Sequence, residues 1–171
     1  NEGFCSVLIT GSPEPLSRRL VGALLHAATN VWSKRPGRVP AVINTMQSLV
    51  EDKALPSASK ILDCIKRLQK ALERIDYNGL LIVVDELGKF LEYEARHYGS
   101  NDIFLLQSLA EHALANHHVK LALVVMLHQS FDQYARGLGD DLRNEWTKVQ
   151  GRFESIPFLE SAEQTLRVVA A

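Results

Sequence analysis

Cysteine is scarce, charge of either sign is in no surplus, and long hydrophobic runs are missing. Two cysteines, Cys5 and Cys64, stand among 171 residues. That is too few for a disulfide scaffold and suits a reducing cytoplasm. Nineteen basic residues face 20 acidic ones, leaving a net charge of −1. A nucleic-acid contact through bulk positive charge is therefore excluded, and any such contact is expected to be local. The longest apolar stretch, Val119–Leu127, is broken by Lys120 and falls far short of the ~20 residues a membrane helix needs. No charged-then-apolar leader opens the sequence, so a cytoplasmic protein without a membrane segment is expected. Also missing is a phosphate-cradling G-x-x-x-x-G-K-[ST], which no glycine here begins.

What is present suits one domain with a substantial core: 46% of residues are apolar and 23% charged. Position 1 is Asn, an apolar run begins at Phe4, and Glu163–Ala171 stops inside a helical pattern. The chain is thus expected to be a piece of a longer protein.

Apolar periodicity alternates between strand and helix. Phe4–Thr10 reads as a buried strand ended by Gly11-Ser12-Pro13. Leu16, Leu20, Leu24, Ala27, Ala28 and Val31 recur at helical spacing and stop before Pro36-Gly37. Val39–Ile43 fits a strand or a loop, and Met46, Leu49 and Val50 fit a short helix capped by Asn44. Ile61, Ile65, Leu68, Leu72 and Ile75 form an amphipathic stripe, capped by Ser57 or Ser59. Leu80–Val84 has the profile of a strand buried on both faces. A helix over Ile103–Ala115, a strand Leu121–Leu127 and helices across Phe131–Val149 follow. Phe153–Phe158 alternates imperfectly as a strand, and a last helix begins near Ser161. Such alternation predicts an α/β fold: a parallel sheet in a three-layer sandwich with helices on both faces.

Three places carry polar residues where chemistry would need them. The strand Leu80–Val84 delivers Asp85-Glu86 at its carboxyl end, where open parallel sheets collect functional groups. Paired carboxylates there can hold Mg²⁺ through water and polarise an attacking water. The alternative is that Asp85 caps the next helix and Glu86 sits in its first turn. The second strand delivers His128 and Gln129, which would reach a phosphate or a catalytic water, or else serve as a cap or a core histidine. Arg152, before Phe153, either projects towards a neighbour's phosphate or makes a surface ion pair with Glu154 or Glu145.

In this order the three features resemble the AAA+ division of P-loop NTPases. Leu80–Glu86 is similar to a Walker B strand and Leu123–Gln129 to a sensor-1 strand. Val149–Phe158 with Gln164-Thr165-Leu166 resembles the box VII arginine, its following strand and helix in the initiator-like clade. DELGKFLE (Asp85–Glu92), LQSLAEHA (Leu106–Ala113), LHQSFDQYA (Leu127–Ala135) and EWTKVQGRFESIPF (Glu145–Phe158) are similar to large bacterial ATPases, some from phage-defence clusters. The resemblance covers residues 80–171 well and 1–79 loosely. It implies ATP and Mg²⁺ as cofactors, held in the full-length protein, and a conformational or assembly step, on DNA in some cases. Asp85 would order Mg²⁺, Glu86 would activate water, and His128 would be sensor 1 with Gln129 as second choice. Arg152 would be an arginine finger acting in trans, which implies self-association. Sensor 1 is usually Asn, Ser, Thr or Asp, so His128 is placed by register and not by type.

Gly11–Pro15 sits where a phosphate loop would, but Pro13 and Pro15 lack amide donors, Glu14 has the wrong charge, and no lysine follows. Either Phe4–Thr10 is the family's second strand with its loop upstream of residue 1, or it is the first strand with a decayed loop. Two rivals are a non-hydrolysing scaffold on the same fold and a metal-dependent phosphohydrolase using Asp85 and Glu86. Exposed histidines are expected at His112, His117 and His118, and a solvated helix face at Glu92, Glu94, Arg96 and His97. Lys34, Arg35 and Arg38 form a basic loop able to touch nucleic-acid phosphates, and Trp32 and Trp146 anchor helices. Asp85 and His128 should share one end of the sheet, and Arg152 should be exposed and unpaired.

Overall fold

A computed structural model describes residues 3–97, 102–115, 117–129, 131–134 and 140–157. Strand β1 (Phe4–Thr10) leads into α1 (Leu16–Ser33), α2 (Ala41–Glu51) and α3 (Ala58–Glu73). Strand β2 (Gly79–Asp85) is followed by α4 (Leu87–Arg96) and α5 (Asp102–Leu114). Strand β3 (Lys120–Val125) precedes α6 (Phe131–Tyr134) and α7 (Asp140–Gln150). The protein is α/β: the three strands form one open, all-parallel sheet in the order β1-β2-β3, with Phe4 opposite Gly79 and Gly79 opposite Lys120.

That order decides where the helices lie. Each crossover steps the same way across the sheet, and right-handed crossovers stepping one way lie on one face. Burial follows suit. Cys5, Val7 and Ile9 of β1 and Leu80, Ile82 and Val84 of β2 enter a core with Leu16, Leu20 and Leu24 of α1 and Ile61, Ile65, Leu68 and Leu72 of α3. On the opposite face Leu8 is 72% exposed and Phe4 45%, and Val124 is exposed too. Among the described residues only one face of the sheet is covered, so two layers are present where three were expected.

Most predicted elements appear. Ser57 caps α3, accepting from the Lys60 N–H at 3.4 Å. Residues 39–43 do not form a strand. Pro40 supplies an extended N-cap, and Val42, Ile43 and Met46 then share the buried face of a helix, which leaves Asn44 inside it and not at its start. No strand occurs over residues 153–157, where Ile156 is exposed; Phe158 and the helix near Ser161 lie outside the described residues. The second apolar strand ends at Val125 and is buried on one face only. Trp146 is buried in the core as expected, and Trp32 packs against it half-buried. Both cysteines are buried and free, and burial raises both thiols above the ordinary value.

Candidate functional site

Three segments converge beyond the carboxyl ends of the strands. Gly11 N–H donates to the Asp85 carbonyl at 2.9 Å, tying the exit of β1 to that of β2. Met126 N–H donates to the Val84 carbonyl at 2.9 Å, and the Met126 carbonyl accepts from Leu87 N–H at 3.0 Å. The Asp85-Glu86 turn is thereby clamped from both sides. Gly11 has to be glycine, because a Cβ there would meet the Glu86 backbone carbonyl. Gly88 lies under the Tyr134 phenol, which a Cβ there would displace.

Within this clamp Glu86 is left-handed, with φ 52° and ψ 44°. A non-glycine residue pays roughly 1–2 kcal/mol for that conformation, which persists only where neighbours enforce it. Glu86 occupies the N-cap of α4 without capping it through its side chain, and Asp85 ends β2, exposed. The first-turn alternative is therefore not what forms. The Glu86 carboxylate instead takes Lys89 Nζ at 2.7 Å on Oε2 and lies 3.6 Å from His128 Nε2 on Oε1. Glu86 is 28% exposed and His128 77%. The Lys89 hydrogen bond holds the Glu86 carboxyl below its ordinary value; partial desolvation opposes it, and His128 adds to the lowering. Gln129 follows His128, exposed. Asp85, Glu86, His128 and Gln129 thus share one end of the sheet.

Arg152 is elsewhere and occupied. Its Nε and a terminal nitrogen donate to Glu111 Oε1 at 3.1 and 2.7 Å, and the other terminal nitrogen donates to the Lys148 carbonyl at 2.6 Å. It is 28% exposed. The expected exposed, unpaired arginine is replaced by a tie between the end of α7 and the side of α5. The partner is Glu111, and neither Glu145 nor Glu154.

Several expectations change. Asp102, which carried no sequence signal, is buried at the start of α5 and accepts from the backbone N–H of Leu16 at 2.6 Å and of Ser17 at 3.0 Å. It fills the N-terminus of α1, so the helix after Gly11–Pro15 has its leading amides already paired. Glu94 is buried, so the face with Glu92, Arg96 and His97 is not wholly solvated. His112 is buried as well: Gln69 donates to the Val119 carbonyl at 2.7 Å, His112 Nε2 lies 2.7 Å from Gln69 Oε1, and His117 Nε2 lies 3.2 Å from His112 Nδ1. His118 is exposed as expected. Lys89 completes the site, and its i,i+3 spacing from Glu86 at a helix start is the sequence signal that points to it.

No family model, curated protein or solved structure matches the chain. Among the described residues no group of three or more His, Cys, Asp or Glu side chains is arranged to hold a metal, and no helix is long and apolar enough to cross a membrane.

Proposed function

We propose that this chain is part of an ATP-binding, ATP-hydrolysing protein of P-loop NTPase type, resembling the AAA+ division, which drives a conformational or assembly step. The observation that carries the reading is the meeting of Glu86 and His128 beyond the carboxyl ends of adjacent parallel strands. Glu86 takes the proton of an attacking water there, once Lys89 releases it and the carboxylate regains basicity. Asp85, exposed at the strand end, would hold Mg²⁺ through water, and the ion would supply positive charge to the phosphoryl oxygens. His128 orients the water or a phosphate oxygen, with Gln129 beside it.

The residues present do not fit a triphosphate cradle. Pro13 and Pro15 lack N–H groups, and the Leu16 and Ser17 amides are taken by Asp102. A cradle has to come from a strand–loop–helix unit outside these residues. The bare sheet face supports that placement: a right-handed connection returning across the sheet to β1 lays its helix on that face. It also favours Phe4–Thr10 as a second strand over a first strand with a decayed loop.

Two ion pairs favour a second reading, a scaffold that keeps the fold without hydrolysis: Lys89 neutralises Glu86, and Glu111 occupies Arg152. Glu86→Gln in the parent protein separates the two. An ATPase loses turnover by ~10²–10⁴-fold while keeping Mg·ATP affinity. Unchanged function overturns the hydrolytic reading. The 171-residue chain itself should show no micromolar Mg·ATP binding by calorimetry; finding it would refute the absent-cradle argument.

A further inference from the structure

The groove between α1 and the open edge of β1 has a composition unlike the rest of the chain. It encloses about 1200 Å³ and is lined by Arg18, Arg19, Lys34 and Arg35, with Glu14 as the one carboxylate. A chain of net charge −1 thus gathers four permanent cations in one trough. Phe4 and Leu8, from the uncovered face of β1, and Tyr77 add apolar and aromatic surface along its rim. The Phe4 ring edge fills the space beside Gly79 that a side chain would take, and the residue remains 45% exposed. Leu8 lies further along the same strand, and at one end the Arg35 guanidinium sits 5.7 Å from the Tyr77 ring centroid. Arg19 and Lys34 mark the two ends, about 20 Å apart at the helical rise per residue.

We propose that this groove binds single-stranded nucleic acid. Cations along both ends track phosphates, while Phe4 and the Arg35–Tyr77 stack offer planes for unpaired bases. A duplex keeps its bases stacked inside and would leave the aromatic rim without a partner, so single strands are selected over duplexes. Arg18 is anchored by donating to the Lys53 carbonyl at 2.7 Å, and Arg19 lies 4.0 Å from Glu14. The inference is independent of the ATPase reading, since none of these residues belongs to the Glu86 site.

The test is fluorescence anisotropy of the 171-residue chain with labelled dT20 and rU20, in 50–200 mM salt. Binding to either supports the proposal. Arg19→Glu with Lys34→Glu, both at exposed positions, should weaken binding at least tenfold and make the log–log salt slope shallower by about 1.4. Phe4→Leu, which keeps the rim apolar, should weaken it about tenfold with the slope unchanged. Circular dichroism melts confirm that each variant is folded. No binding at 50 mM salt overturns the proposal. So does competition by heparin or duplex as effective as by unlabelled dT20, or an affinity that neither set of substitutions moves. A peptide that displaces nothing but adds to the β1 edge would also overturn it.

Discussion

Asp102 and His112 lie on one helix, α5, and both are ionisable groups buried against other elements. The Asp102 carboxylate closes the start of α1 from a distance in sequence, and its two acceptor bonds satisfy amides that would otherwise be buried and unpaired. Asp102→Ala leaves both amides unsatisfied, at ~1–3 kcal/mol each, so its urea midpoint should drop steeply. Burial raises the Asp102 carboxyl, opposed by the Ser17 and Leu16 amides and the Ser17 hydroxyl. The folded state therefore holds that proton to higher pH than the unfolded chain does. Stability from this group falls as pH rises from the ordinary aspartate value to the raised one, a slope Asp102→Asn should lack. His112 behaves in the opposite sense. Gln69 uses its amide on Val119, so its Oε1 accepts from His112 Nε2–H and leaves the His112 Nδ1 lone pair facing His117. Burial, then His117 and Lys66, push the imidazole below its ordinary value. Stability is full at neutral pH and is lost as pH falls through the ordinary imidazole value towards the folded one. NMR titration of the ring should find the depressed value, and His112→Gln should flatten the acid limb of urea stability. Arg152 tests differently. As a tie within its own chain, Arg152→Ala and Glu111→Ala should each lower the urea midpoint only slightly and be non-additive in a double-mutant cycle. A finger acting in trans would instead lower turnover of the parent by ~10³ in Arg152→Ala alone.

Elements were legible where one signal dominated. β2 follows from five branched residues ended by Asp85, and α3 from an unbroken stripe with a serine cap; the structure forms both. Residues 39–43 misled because a short apolar run fits either period, and Pro40 decided for helix by supplying the extended N-cap. Residues 153–157 have apolar positions but, among the described residues, no neighbouring strand to pair with, and an isolated strand has no ladder to close. The convergence of β1, β2 and β3 was legible as three strand ends, and the pairing of His128 with that end followed from register. Hidden from the sequence were the left-handed Glu86 and the Asp102 clamp, since both depend on contacts distant in the chain. The turn itself can be tested through Gly11. A Cβ there would run into the Glu86 carbonyl, a backbone group that cannot rotate away. Gly11→Ala should therefore cost ~1–3 kcal/mol by denaturant unfolding and perturb the Glu86–His128 pair. A neutral Gly11→Ala would show that the three strand exits are not rigidly clamped.

At the scale of the molecule, the uncovered sheet face sets how the chain behaves alone. Parallel strands are ordinarily covered on both sides, and Leu8, 72% exposed, has no cover among the described residues. Leu8→Glu should change the stability of the 171-residue chain by no more than ~0.5 kcal/mol while reducing binding of a hydrophobic dye. A loss of ~2 kcal/mol or more would reveal that the face is covered. The pairing of Phe4 with Gly79 also fixes an order of events on the ribosome. β1 is made before β2, and the ladder between them cannot start until roughly 75 further residues are made. At ~5–20 residues per second that is a wait on the order of 4–15 s. The helices α1, α2 and α3 can form meanwhile, but β1 lacks its ladder with β2 throughout. Its exposure to holding chaperones is thus timed by translation speed, and slowing codons before Gly79 should lengthen it.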